Sequence, residues 1–294
     1  MNQTALDWRD WIGSREEATD TASVGSLQRM SATLDRDDAP PRNGDAVPPQ
    51  WQAMYFPVVA RRSALGPDGH PDRGGFLPPV PLPRRMFAGA RAVYHRPLRA
   101  GEAIRREGEV ADVTRKMGVS GELVFVQVHY RIFGTRGLAI EEEHDIVYRD
   151  VATPAKTSAN SETSIAKPDW RRTIMPDAVT LFRYSALTFN GHRIHYDRRY
   201  AIEEEGYPGL VVHGPLIATY LAELCRANVT DRSIQRFAFR ARRPLFDTAA
   251  FEVVGAVDAS GNSCRLEAID PKGAIAMTAE ADFAKAGDDR RGIG

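Results

Sequence analysis

Two halves of this chain carry the same short signatures at a fixed spacing. A period of half the chain length restricts the fold to two similar units in tandem. Arg96-Pro97-Leu98 recurs as Arg243-Pro244-Leu245, and Gly108-Glu109-Val110 as Gly255-Ala256-Val257, both displaced by 147 residues (243 − 96 and 255 − 108) in a chain of 294. Each copy opens with an alternating segment, residues 90–95 and 236–242. A second strand follows, then a hairpin pair: 122–133 with 138–148, and 262–269 with 274–283. Within 123–132, Val124, Val126, Val128, Tyr130 and Ile132 alternate with Leu123, Phe125, Gln127, His129 and Arg131. That period of two suits an antiparallel strand with one face in a core.

Helical periodicity is concentrated in the second half. Residues 215–227 place Leu216, Ile217, Tyr220, Leu221 and Leu224 at helical spacing, behind a first-turn Pro215. A helix this apolar must be surrounded, and a sheet wrapped around one such helix is the hot-dog arrangement. The expected fold is therefore α+β: a tandem, double hot-dog with antiparallel sheets around a central helix. The first half offers no equivalent helix, because residues 74–85 carry Pro78, Pro79, Pro81 and Pro83, which remove N–H donors and fix φ. With the helix reduced or missing there, room for a bulky acyl group beside the first sheet is expected. Small polar residues over 152–168 read as a linker. The expected organisation is thus 1–151, an N-terminal half that accommodates substrate; the linker; 169–285, a C-terminal catalytic half; and a flexible tail over 286–294.

Lys plus Arg equals Asp plus Glu at 39 each, so no global field draws the chain to nucleic acid or to a membrane surface. Cys225 and Cys264 lack paired spacing, which suits buried free thiols in a reducing compartment and excludes a Cys-rich zinc site. No segment resembles a signal peptide or reaches the roughly 20 apolar residues that span a bilayer, so a cytoplasmic location is expected.

The densest set of acid–base groups is Thr188-Phe189-Asn190-Gly191-His192-Arg193-Ile194-His195-Tyr196-Asp197, followed by Val211-Val212-His213-Gly214-Pro215. His195, between Ile194 and Tyr196, suits a partly apolar cleft in which imidazole transfers protons near neutral pH. The plainer alternative is a structural histidine in a turn. Asn190 can orient a water or a hydroxyl, or cap a turn before Gly191. His192 reads as a supporting residue of the same cluster. Gly214 offers a backbone N–H at a helix start, aimed where an enolate oxygen develops, with His213 shaping that end. An ordinary helix start is the alternative. Arg84 and Arg85, and Arg236, Arg240, Arg242 and Arg243, suit carrier phosphates or a substrate carboxylate; arginines that keep a sheet edge soluble read equally well. Arg193 and Tyr196 are further substrate-binding candidates, although Arg193 can simply pair with Asp197. Glu203, Glu204 and Glu205 lack metal-ligand spacing, and the Gly-x-Ser-x-Gly turn of a nucleophilic serine is missing.

At these residues the chain resembles the MaoC-like hydratases, an (R)-specific enoyl-thioester hydratase family with a double hot-dog fold. Its pattern is Gly-Asp-x-Asn-Pro-x-His, then His-Gly at the start of the central helix. Asn190 stands where that pattern has Asp, His192 where it has Asn and Arg193 where it has Pro. His195 matches the His, and Gly214 falls at the oxyanion glycine. The chain is more similar to the branch that holds mesaconyl-CoA (3-methylfumaryl-CoA) hydratase, itaconyl-CoA hydratase and the mitochondrial 3-hydroxyacyl-thioester dehydratase. That branch shares Thr-Phe-Asn-x-His-Arg-Ile-His-Tyr-Asp, the run Gly-Phe-Leu-Pro-Pro-Val-Pro-Leu-Pro-Arg-Arg-Met at 75–86, and Asp-Ile-Val-Tyr-Arg at 145–149. The resemblance covers most of residues 50–285. It implies a hydro-lyase that reversibly adds water to an enoyl-CoA thioester, with mesaconyl-CoA or a related short dicarboxylyl-CoA as substrate. It implies no metal and no cofactor beyond the coenzyme A thioester itself, and it is compatible with a homodimer of double hot-dog chains. An amide is no base, so the resemblance assigns proton transfer to His195, water positioning to Asn190 and the thioester oxygen to Gly214. A 3-hydroxyacyl-thioester dehydratase of fatty acid metabolism, a non-catalytic acyl-thioester binding protein and a thioesterase on the same fold are the alternatives.

Overall fold

A computed structural model describes residues 7–118, 121–150 and 164–285. The expected linker up to residue 163 and the expected tail over 286–294 lie outside the described residues. The strands are β1 (Arg15–Thr21), β2 (Arg84–Tyr94), β3 (Ala103–Gly118), β4 (Gly121–Gly134), β5 (Gly137–Arg149), β6 (Trp170–Ile174), β7 (Ile234–Ala241), β8 (Phe251–Val257), β9 (Ser263–Ile269) and β10 (Ile275–Phe283). The helices are α1 (Val24–Thr33), α2 (Ala178–Thr188), α3 (Arg198–Glu203) and α4 (Gly214–Asn228). All strands join one antiparallel sheet in the order β1-β3-β4-β5-β2-β7-β10-β9-β8-β6.

That order is one pattern written twice. The first half runs β1-β3-β4-β5-β2 and the second β6-β8-β9-β10-β7, so the halves meet where β2 pairs with β7. At the centre of this seam Arg91 faces Ala238, its own counterpart in the repeat, since 91 + 147 = 238. The backbone bonds repeat as well. Val47 N–H donates to the Leu98 carbonyl at 2.9 Å, and Val212 N–H donates to the Leu245 carbonyl, 147 residues after Leu98, also at 2.9 Å. The sequence signature thus marks a double hot-dog.

The halves diverge directly after those two valines. Val212 leads into α4, whose residues 216–225 are all buried, Leu216 and Leu221 completely. Each such leucine contributes roughly 2 kcal/mol by leaving water. Val47 instead leads into Pro48 and Pro49, and Gln50 adopts a left-handed φ of 70°, so that one 3₁₀ turn, Trp51–Met54, stands where the long helix would begin. Trp51 is fully buried, and its indole Nε1–H donates to Glu223 of α4 at 3.1 Å. That buried carboxylate also meets Arg36 at 3.2 Å and Arg226 at 3.0 Å, so its charge is paired.

Where the first half has no long helix, other segments cover much of its sheet face. Trp51, Met54, Tyr55 and Phe56 cover one part of that face, and the Pro-rich segment covers another by setting Val80 against Val110, Val113, Val124, Val126, Val128 and Tyr148. Extended chain with side chains of this size fills space as a helix does. Partly exposed Phe87, Tyr130 and His144 line what remains open on the inner face. A separate cleft of about 600 Å³ lies between Trp8, Pro79, Pro81, Val113 and Arg115. Cys225 of α4 and Cys264 of β9 are buried free thiols with sulfurs 3.3 Å apart.

Candidate active site

The site is built by a reversal of the chain after α2. Asp177 caps the start of that helix by accepting from Thr180 N–H at 2.7 Å, and Phe189 ends it in a left-handed conformation, φ 52°. Asn190 N–H then returns to the Ser185 carbonyl at 2.8 Å, and the Asn190 side-chain oxygen accepts the His192 N–H at 3.0 Å. The carboxamide oxygen therefore shapes the turn. A single 3₁₀ turn, Arg193–His195, follows, and Asp197 caps α3.

His195 is fastened to the segment that leads into α4. Val211 N–H donates to the Ile194 carbonyl at 3.0 Å, and the Val211 carbonyl accepts the His195 Nδ1–H at 2.7 Å. A carbonyl can only accept, so the neutral ring carries its proton on Nδ1 and keeps a lone pair on Nε2. His213, the N-cap of α4, stacks on this ring and has Nε2 2.9 Å from the Ser185 hydroxyl. His192 meets His195 edge to face, 5.4 Å between centroids. Gly214 opens α4, and a Cβ built on it would meet nothing within 4 Å, so the space beside the helix start is open.

A fourth imidazole arrives from the other half of the molecule. Residues 66–72 form a turn closed by Gly66 N–H to the His70 carbonyl at 2.8 Å. Arg193 N–H donates to the Asp68 carbonyl at 2.9 Å, and Gly69, φ 85°, lies so close to the Gly191 carbonyl that a Cβ there would collide with it. This docking sets His70 4.1 Å from His192, centroid to centroid, with its Nδ1–H on Asp68 Oδ2 at 3.1 Å. Asp68, His70 and His192 each offer a ligand atom within 4.8 Å of the others, so these three are the residues able to hold a metal ion among those described.

Burial dominates the electrostatics. It pushes His195 down to about 4 and His192 down to about 2, and holds His213 well below its ordinary range, with neighbouring imidazoles adding to the depression at His192 and His213. His70 is lowered by burial too, while the Asp68 carboxylate pulls the other way. Burial alone would raise Asp68, but hydrogen bonds from the His70 ring and backbone outweigh it and keep the carboxyl far below the usual range. Near neutral pH the cluster is one carboxylate and four neutral imidazoles.

The remaining candidates divide by partner. Arg84 meets Glu205, at 3.1 Å through the carbonyl and 3.4 Å through the carboxylate, and lies over the Tyr207 ring. Arg193 is held by Asp197 at 2.8 Å and by the Pro67 carbonyl at 2.9 Å, and covers Tyr200. Tyr196 is 46% exposed and donates to the Gly191 carbonyl at 3.1 Å. Arg85 faces Tyr148 across the β2–β5 ladder on the inner sheet face. It bonds to Tyr148, and its charge is felt at Tyr130 on one side and at His70 and His192 on the other. Of the second arginine group, Arg236 lies 3.8 Å from Asp282 and Arg243 3.8 Å from Asp270.

Sequence reasoning missed Asp68, His70 and Ser185. The run Gly66-Pro67-Asp68-Gly69-His70-Pro71 signals a turn, but nothing local says that it docks on residues more than a hundred positions away.

The double hot-dog sheet and the family match together define the class: hydratases and dehydratases that act on acyl thioesters. The chain belongs to the hydroxyacyl-thioester dehydratase type 2 family, whose profile matches residues 50–247. It is 47% identical over 280 residues to the mesaconyl-C(4)-CoA hydratase of Chloroflexus aurantiacus, an alignment that covers 95% of this chain and 99% of that one. With the mitochondrial hydroxyacyl-thioester dehydratase type 2 of Schizosaccharomyces pombe it shares 28% identity over 223 residues, 67% of this chain and 74% of the other. Among solved structures, a MaoC-like dehydratase superposes with a TM-score of 0.69 at 14% identity, covering 95% of this chain and all (100%) of that one. A MaoC-like dehydratase from Phytophthora capsici gives 0.67 at 12% identity, covering 95% and 98%. These two share the fold.

Proposed function

We propose that this enzyme reversibly hydrates the double bond of a short dicarboxylyl-CoA, of the mesaconyl-CoA type. The observation that carries this reading is the pairing of His195, with its Nε2 lone pair left over, and the unobstructed start of α4 at Gly214. The 47% identity to a mesaconyl-C(4)-CoA hydratase supports the substrate class.

In the hydration direction the Gly214 N–H, reinforced by the positive end of the α4 dipole, holds the thioester oxygen. The oxygen of a water adds to Cβ, the C=C electron pair moves onto the thioester oxygen, and one water proton passes to His195 Nε2. When the enolate collapses, that proton moves from Nε2 to Cα. Dehydration is the same path reversed. The thioester itself acidifies the α position, so the chemistry asks for no redox group and no metal. Asn190 supports the site through the turn that carries His192 and His195, and its NH2 group can donate to a substrate oxygen. His213 keeps His195 in place by stacking. Arg85 is the cation we assign to the distal carboxylate of the acyl group, because it sits between the imidazoles and the inner sheet face. Arg84, Arg193 and Tyr196 support binding by shaping the cleft wall through their own contacts.

Among the described residues no helix is long and apolar enough to cross a membrane. We place the enzyme in the cytoplasm, acting on a small acyl-CoA and not on nucleic acid, and compatible with a homodimer.

Incubation with mesaconyl-CoA and, separately, with crotonyl-CoA, followed by enoyl-thioester absorbance and product mass, tests the reading. Gain of one water on mesaconyl-CoA is the expected result. Gain on crotonyl-CoA alone redirects the reading to plain fatty acyl chains, and gain on neither rejects hydration.

A further inference from the structure

The docking of residues 66–72 onto the 190–193 turn requires an explanation, because a surface connection does not ordinarily carry a paired carboxylate and imidazole into a buried cluster. The loop is fastened by two Arg193 donors, the backbone N–H to the Asp68 carbonyl and a guanidinium N–H to the Pro67 carbonyl, each at 2.9 Å. Both Asp68 oxygens serve His70. Oδ1 accepts its backbone N–H at 3.0 Å and Oδ2 accepts its ring Nδ1–H at 3.1 Å. The His70 proton is therefore fixed on Nδ1, and its Nε2 carries the lone pair. His195 has the same arrangement, with the Val211 carbonyl in place of the carboxylate. The site thus holds two imidazoles with Nδ1–H anchored and, among the described residues, no hydrogen-bond partner at Nε2, while the Asn190 oxygen already accepts the His192 N–H. An attacking water has two O–H groups, and a lone pair that must point at Cβ.

Building on the hydratase reading above, we propose that His70, oriented by Asp68, is a catalytic residue that accepts one hydrogen of the attacking water at Nε2 while His195 removes the other. The proton taken by His195 ends on Cα, and the hydrogen held by His70 stays on the new Cβ hydroxyl, so no further donor or acceptor is required. In dehydration His70 holds the departing hydroxyl. The carboxylate makes the His70 Nε2 a better acceptor than the unassisted imidazoles beside it, by the logic of any carboxylate-backed histidine.

The test measures kcat and KM of enoyl-thioester hydration in the full-length enzyme. His70→Ala should lower kcat about 100-fold with KM changed less than threefold. His70→Gln, whose amide oxygen reaches the position of Nε2, should recover part of that loss, and added imidazole should rescue His70→Ala. Asp68→Asn leaves the His70 ring without its anchor and should lower kcat about tenfold with KM changed less than threefold. A kcat within threefold of wild type in His70→Ala, or an unchanged kcat in Asp68→Asn, overturns the assignment. So does a loss that neither His70→Gln nor imidazole repairs. A wild-type enzyme inactive on both thioesters rejects the hydratase reading and this assignment together; an active wild type with unaffected variants rejects this assignment alone.

Discussion

His195 and His213 stack with ring centroids 3.7 Å apart and planes 19° from parallel. Both are buried, and two imidazolium rings cannot share that contact. Each ring is held neutral, and the contact ties His195 to the first turn of the central helix.

Stability should therefore depend on acidity in a defined window. His195 drops from an ordinary 6.5 to about 4 in the fold, so below 6.5 the unfolded chain binds the extra proton and the folded one does not. The contribution is fully present above 6.5, is lost as pH falls, and is exhausted near 4, amounting to roughly 3 kcal/mol for this group. Thermal melts from pH 7 to 4 should show falling Tm, with a shallower fall in His195→Gln. Equal slopes would contradict the neutral, buried ring.

Gly214→Ala separates binding from folding. The glycine does not have positive φ and a Cβ meets nothing within 4 Å, so the helix should tolerate alanine, with Tm unchanged or slightly raised. The added methyl occupies the space in front of the helix start. We expect kcat/KM to fall at least tenfold at unchanged Tm, measured by hydration assay and calorimetry side by side.

Gly69→Ala should act oppositely to a surface glycine. At φ 85° and against the Gly191 carbonyl, alanine is strained and clashes, so the loop must leave its dock at a cost of about 2 kcal/mol or more. Hydrogen exchange should rise in residues 66–72 and around Arg193, and activity should fall about tenfold or more.

Arg85→Gln should discriminate between substrates. Removing the guanidinium forfeits a charge-assisted hydrogen bond of about 1.5 to 3 kcal/mol, a 10- to 100-fold rise in KM for a thioester with a distal carboxylate. KM for crotonyl-CoA should hardly move. Parallel increases for both thioesters would place the carboxylate elsewhere.

The fold was legible where local chemistry and periodicity act together. Leu216, Ile217, Tyr220, Leu221 and Leu224 mark α4 because a helix apolar on every side has one destiny. The repeat of Arg-Pro-Leu marks the two halves because both copies make the same turn after equivalent strands. Asn190 was readable as both a turn former and a water partner, and the structure shows its oxygen in the turn. Trp51 was silent in sequence, since a single turn leaves no period. Asp68 and His70 were silent for a different reason: their meeting with His192 depends on how a long connection crosses the sheet, and no local pattern encodes that path.

The seam between β2 and β7 joins two units that one backbone already links. Their association has no second-order step, so an imidazole cluster that draws His195 from one unit and His70 from the other does not come apart on dilution, however little protein is present.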